Sequence, residues 1–299
     1  MNISQLKALD AAIRTKSYSK AAQELGISQP AVSRQLRDLE KQYQVRLIFR
    51  RGKQIEFTPL ALALVRKARV CLTFINDMEE TLQAQGHLKA GSFRIGLSCH
   101  NLVMELLANF MERYPDVMVS THVSDSENLL AGVLDSSLDI AAITALDPDP
   151  RVANFLYNRQ RIVAVVRQDA PCVSAGAVVV ETLRDMPMIA RHKTSGTRTI
   201  FTRQLAELDI VPQVVLELDS YDAMLEAVAA GIGFAIVLED EFNGDKRLRS
   251  LPFQGSAMVA NQYLVYLPEY KELNVVGSFL NLAREAKVIK QFTEQRKSA

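Results

Sequence analysis

The chain has 299 residues, is 48% apolar, carries 35 Lys and Arg against 34 Asp and Glu, and has three cysteines. That length is long for one domain, and the apolar share is ample for a core. There is no apolar run of about 18 residues and no signal peptide, which argues against a membrane-spanning or exported protein and for the cytoplasm; Cys71, Cys99 and Cys172 have neither zinc spacing nor an even count, which fits a reducing compartment.

In chain order, the first strong signal is residues 17–41, SYSKAAQELGISQPAVSRQLRDLEK, which read as two short helices joined by a tight turn. Ser19 stands where a helix N-cap belongs, and Ala21, Ala22 and Leu25 make an apolar face behind it. Gly26 supplies the turn, Ser28 caps the second helix, and Pro30 falls in its first turn, where a missing N–H costs nothing. Val32, Leu36 and Leu39 face inward, which leaves Gln29, Ser33, Arg34, Arg37 and Lys41 on the open face. Gln and Arg make two-pronged contacts to base edges, so this is the pattern of a helix laid in the DNA major groove.

Charge supports that reading once the chain is divided. Residues 1–58 hold 11 Lys and Arg against 5 Asp and Glu, a net of +6, whereas the remainder nets −5. A basic head on an acidic body fits phosphate contact by the head alone. Residues 45–57, VRLIFRRGKQIEF, read as two strands around Arg51-Gly52-Lys53, a wing whose Arg50, Arg51 and Lys53 would lie near the DNA backbone or in the minor groove. From Pro59 to about Leu88 a long helix is expected. Its residues Leu64, Ala68, Cys71, Ile75, Met78 and Leu82 recur at alternating spacings of 4 and 3, a heptad seam that predicts pairing with a second copy. A two-fold dimer then implies a pseudo-palindromic site on double-stranded DNA.

Residues 4–40, SQLKALDAAIRTKSYSKAAQELGISQPAVSRQLRDLE, and 47–58, LIFRRGKQIEFT, resemble the winged helix-turn-helix of LysR-type transcriptional regulators. Two departures are visible. Leu9 stands where that family usually has an aromatic residue, and Pro59-Leu60-Ala61 where it often has Ala-Gly. The resemblance implies an α/β chain in three parts. These are a winged helix-turn-helix at 1–58, a linker and dimerisation helix at 59–88, and an effector-binding domain at 89–299 that looks like a periplasmic binding protein. Its first lobe would cover about 89–160 and 267–299, and its second about 161–266. The resemblance also implies a homodimer or homotetramer and contact with RNA polymerase. In DNA contact it places Ser19, Ser28, Gln29, Pro30, Ser33, Arg34 and Arg37 beside the wing residues.

The body alternates strands and helices, the sign of a mostly parallel sheet covered on both faces. Residues 89–92 form the hinge. Strands are expected at 93–97, 117–123, 138–144, 161–167, 188–190, 214–218, 233–238 and 258–267. Helices are expected at 102–113, 127–134, 197–208, 221–230 and 272–290. Two crossovers, near 160 and 266, would join two lobes around a cleft.

In such folds a ligand sits at strand carboxyl ends and helix N-termini, where free N–H groups attract anions. The segments that fall there are Ser98-Cys99-His100-Asn101, Ser124-Asp125-Ser126, Thr144, His192-Lys193-Thr194-Ser195-Gly196-Thr197-Arg198 and Ser220-Tyr221. They suit a small phosphonate, phosphate, carboxylate or sulfate, with Ser126 and Ser220 equally readable as plain caps. His100 and His192 lack a third ligand, so neither metal nor cofactor is expected. Cys99 has no partner cysteine for redox sensing. RRGKQIEFT, DPDPRV (147–152) and DEFNGDKRLRSLPF (240–253) resemble LysR-type regulators associated with 2-aminoethylphosphonate catabolism. For that ligand Asp125, Asp147 or Asp222 would meet the ammonium. An enzyme is not expected: no nucleophile–base pair, metal set or phosphate loop stands out, and Gly231-x-Gly233 precedes a strand, the wrong order for a dinucleotide fingerprint.

Overall fold

The computed structural model describes residues 1–51, 54–83, 91–99, 103–242, 244–255 and 258–297, and divides into two compact units. The first opens with α1 (Ile3–Thr15), whose Asn2 side chain accepts from the Gln5 amide while Gln5 reaches back to the Asn2 amide. Lys16 then turns left-handed, at φ 51°, and Ser17 is extended. Helix α2 (Tyr18–Leu25) therefore starts one residue later, and its cap is Ser17, which accepts from the Lys20 amide at 3.4 Å. Ser19, expected at that cap, lies exposed inside the first turn. Gly26 ends α2 at φ 63°, and Ser28 caps α3 (Gln29–Tyr43), with Pro30 in its first turn.

Strands β1 (Ile48–Arg51) and β2 (Gln54–Phe57) pair antiparallel as the wing. Glu40 pins the chain as it enters β1, accepting from the Leu47 and Ile48 amides at 2.7 and 3.0 Å. Thr58 then caps α4 (Pro59–Gln83) through the Ala61 amide. Leu9, Ala12, Ala21, Val32, Leu36, Leu39 and Leu47 are buried together with Ala61 and Val65 of α4. Leu9, in the place of an aromatic residue, fills this core with no exposed surface. The expected helix end, 84–88, lies outside the described residues, as do hinge residues 89 and 90.

The second unit starts with β3 (Gly91–Leu97), α5 (Met104–Arg113), β4 (Val117–Val123), α6 (Ser126–Leu134) and β5 (Ile140–Ala145). Strand β3 takes in Gly91 and Ser92, two of the four residues expected to be hinge. Next come β6 (Ala153–Arg167), α7 (Pro171–Ala175), β7 (Val178–Val179), β8 (Pro187–Ala190), α8 (Gly196–Ala206), β9 (Gln213–Glu217) and α9 (Tyr221–Ala229). The last elements are β10 (Ala235–Leu238), β11 (Leu248–Leu251), β12 (Phe253–Gln254), β13 (Val259–Tyr266) and α10 (Asn274–Lys297). The main sheet runs β10-β6-β13-β5-β3-β4, with β11 also on β6.

Strands β3, β4 and β5 are mutually parallel, as the alternation of strands and helices implied, but β13 runs antiparallel to both β5 and β6. Strand β6 is twice the length expected from residues 161–167. Its first half, rich in Asn, Arg and Gln, pairs with β13, and its second half pairs with β10 and β11. One strand therefore runs through both lobes. Because β13 belongs to the first sheet, the return crossing lies ahead of residue 259 and not near 266. The parallel pair β8–β9 joins the second lobe through a bridge from Met188 to Phe234.

Phe93, Phe110 and Phe279 form the first lobe's aromatic centre, with ring centroids 5.0 to 5.5 Å apart. Val163, Val165, Ile189, Met224, Val228 and Val237 form the centre of the second. Among the described residues no helix is long and apolar enough to cross a membrane.

Candidate functional site

In the first unit, the packing of Val32, Leu36 and Leu39 inward turns Gln29, Arg34, Arg37 and Lys41 fully outward on α3, with Ser33 half-buried among them. Ser28 and Pro30 sit exposed at the helix's leading end. None of Arg34, Arg37 or Lys41 makes an ion pair among the described residues, so their charge is open to a partner. Arg50 and Arg51 lie on β1, next to the wing tip, while Lys53 lies outside the described residues. On α4, Cys71, Met78 and Leu82 are exposed, Leu82 by 82%, whereas Ala68 of the same seam is buried.

In the second unit a cleft lies between the lobes. The first lobe lines it with Ser98, Asp125, Ser126 and Thr144, and the second with Arg191, Ser195, Gly196, Thr197 and Glu241. It is closed down to room for about one water molecule. The lobes come close at Gly196, where a Cβ would stand 1.9 Å from the Thr144 carbonyl oxygen. Only glycine lets α8 come so near β5.

Helices α6, α8 and α9 are finished differently at their N-termini. Asp125 caps α6, accepting from the Asn128 amide at 2.9 Å, and Ser220 caps α9. Helix α8 has no side-chain cap, for Ser195 makes no such bond. Its leading N–H groups and the positive end of its dipole are thus offered to the cleft. Arg191, half-buried at the end of β8, makes no ion pair among the described residues.

Burial tends to raise the Asp125 carboxyl, but the Asn128 amide and the Thr194 hydroxyl outweigh it and hold the group below its usual range. Glu241 is buried and accepts from the Leu238 amide at 2.9 Å. The cleft thus joins one guanidinium, five hydroxyls and an uncapped helix end with two carboxylates.

Family comparisons agree with this architecture. Residues 3–62 match the family model described as "Bacterial regulatory helix-turn-helix protein, lysR family", and residues 86–287 match "LysR substrate binding domain". The chain is a LysR-type transcriptional regulator. It is 27% identical over 285 residues to a RuBisCO operon transcriptional regulator of Allochromatium vinosum, covering 93% of this chain and 94% of that one. It is also 27% identical over 283 residues to the transcriptional activator CmpR of Synechocystis, covering 91% of each chain. Full-length OxyR from Pseudomonas aeruginosa shares the fold with a TM-score of 0.77 at 17% identity, over 95% of this chain and 94% of that one. CbnR, solved in complex with its target DNA, does so with a TM-score of 0.64 at 18% identity, over 95% and 99%. Every family match and relative named here is a regulator and none is an enzyme.

Within this LysR-type body, the residues singled out from sequence divide clearly. Ser98, Ser126, Thr144, Ser195 and Thr197 line the cleft, together with Asp125. Ser126 is not the cap of α6; its hydroxyl accepts from the Thr144 amide and ties α6 to β5. Cys99 is buried behind the cleft beside a second small cavity. His192 is exposed and bonded to Thr194 at 2.7 Å, and Thr194 opens on a neighbouring groove.

Arg198 does not line the cleft. Its guanidinium donates to Glu217 at 2.6 Å and to the Arg191 carbonyl, and in return holds the Glu217 carboxyl low. Ser220 is exposed at its cap, and Tyr221 donates to the Glu241 carbonyl at 2.6 Å. His100 and Asn101 lie outside the described residues. Arg191 and Glu241 are absent from the sequence-based set. The expected segment began at His192, one residue after Arg191, and the cation that ends a strand beside that segment was the signal.

Proposed function

We propose that this LysR-type regulator binds a small anion at Arg191 and the open end of α8, and that closure of the lobes on it re-aims the paired DNA-binding heads. The observation that carries this is the pairing of an uncapped helix N-terminus with a guanidinium that has no ion-pair partner among the described residues. Gln29, Ser33, Arg34 and Arg37 read bases in the major groove, Ser19, Ser28 and Pro30 sit at the backbone, and Arg50, Arg51 and Lys53 hold the flanking DNA. The exposed Cys71, Met78 and Leu82 of the seam support pairing of α4 helices into a homodimer, and two dimers into a tetramer, on a pseudo-palindromic site in the cytoplasm. RNA polymerase is the partner through which the change reaches transcription.

Asp125 and Glu241 in the same cleft favour a ligand with an ammonium as well as an anion, and 2-aminoethylphosphonate is the proposed effector. A second reading follows the relatives: control of a RuBisCO operon, with a carboxylate, sulfate or phosphate at Arg191. Titration of the full chain with 2-aminoethylphosphonate, phosphate, sulfate and small carboxylates separates the two. Arg191→Gln weakens whichever anion binds by about tenfold or more, as expected for a charged hydrogen bond. Binding that is indifferent to that substitution refutes the site, and heat with a plain carboxylate but none with the phosphonate refutes that effector.

A further inference from the structure

A groove of about 360 Å³ adjoins the cleft and shares Ser126, Thr144 and Gly196 with it as a wall. Its floor is apolar, with Ile143 and Ile200 buried and Leu130 and Leu146 half-buried. Helix α6 and the turn after β5 bring Glu127 and Asp147 to it, and α8 brings Arg203. None of these three makes an ion pair among the described residues. Asp149, also on the wall, is already held by the Arg151 side chain, which lowers its carboxyl to about 2.

We propose that this groove is a second small-molecule site, separate from the anion cleft, and that it takes an α-amino acid with an apolar side chain. The volume falls in the range of small-ligand sites. A purely apolar molecule would cover three charges and pair none of them. A simple carboxylate would meet Arg203 but sit beside two like charges, and a simple amine would meet the acids but face Arg203. A zwitterion pairs both kinds of charge while its side chain lies on Leu130, Ile143 and Ile200. Because α6 and the turn after β5 belong to the first lobe and α8 to the second, the occupant touches both and favours their closed arrangement. By linkage, groove ligand and cleft ligand each tighten the other.

The test is isothermal titration of the full-length protein with L-leucine and with its one-charge relatives 4-methylpentanoate and 3-methylbutylamine. L-leucine binds, and each relative binds at least about tenfold more weakly, the share of one charged hydrogen bond. Arg203→Gln, an exposed position that leaves the fold intact, weakens L-leucine by a similar factor, whereas Arg191→Gln in the cleft leaves it unchanged. The proposal is overturned by a wild-type protein that gives no heat with L-leucine, by relatives that bind equally well, or by an Arg203→Gln variant that binds like the wild type. Loss of L-leucine binding in Arg191→Gln equal to that in Arg203→Gln overturns it too, by placing the amino acid in the cleft.

Discussion

Replacing Gly196 by alanine puts a methyl group where α8 meets β5. The new carbon would lie 1.9 Å from the Thr144 carbonyl oxygen and 2.8 Å from Ser126 Oγ, about 1.5 Å inside ordinary contact at the first of these. Neither neighbour can swing away. The oxygen belongs to a strand residue paired with Gln262 of β13, and the hydroxyl is held by the Thr144 amide. Helix α8 must therefore retreat. Overpacking of this kind costs about 1–3 kcal/mol, so the closed arrangement becomes roughly 5- to 150-fold less favoured.

Hydrogen exchange on the full chain reads this directly. Amides at Thr144 and in the first turn of α8 exchange faster by up to that factor, because they exchange through the open form. Gly176→Ala is the control, for it adds the same methyl group, there on a left-handed backbone at φ 71°, with no atom within 4 Å. It leaves exchange at α8 unchanged. Wild-type exchange and wild-type Tm in Gly196→Ala would refute the argument that glycine is what lets the lobes meet.

Three further outcomes are expected. Arg34→Ala weakens specific DNA binding by about 1–3 kcal/mol in a gel shift, since it removes a base-reading side chain without touching the core; unchanged affinity would mean that another face of α3 is used. Ser17→Ala costs about 1 kcal/mol of head stability in urea unfolding, whereas Ser19→Ala stays within about 0.5 kcal/mol, because only the first satisfies a helix-end amide. Burial, followed by the nearby Glu241, pushes the Tyr221 hydroxyl up to about 12, whereas in the unfolded chain it ionises near 10. Between those values the unfolded state binds fewer protons, so stability falls as pH rises. Tyr221→Phe flattens that fall in Tm measured across about pH 9 to 12, and an unchanged slope would show that other groups cause it.

The head was legible because its signals are local. Gly26, Ser28, Pro30 and the inward trio of Val32, Leu36 and Leu39 each act within one or two helical turns. The misplaced cap shows the limit of such signals. Ser17 and Ser19 are both good capping residues, and the choice depends on the left-handed Lys16, which no side-chain preference announces. In the body, hydroxyl segments at strand ends were readable because strand–helix alternation predicts where those ends fall. Long-range pairings were not. Arg198 looked like an anion ligand until Glu217, from the neighbouring strand, claimed it. Glu241 reaches the cleft only because β10 docks on β6, and the first half of β6 was hidden by polar residues that suit a strand only when β13 covers them.

Strand β6 also limits what kind of motion the cleft can make. A 15-residue rod that is hydrogen-bonded into both lobes behaves as a torsion bar: it permits twist about its length and resists hinging across it. The ladder slips by one residue where Gln262 and Tyr263 face Asn158 and Leu156, leaving Tyr157 as the extra link, and torque is absorbed most cheaply at such a bulge. Opening is therefore a shallow rotation of one lobe about a shared axle. A small angle there becomes a larger displacement at the rim, so the close packing at Gly196 acts on a lever.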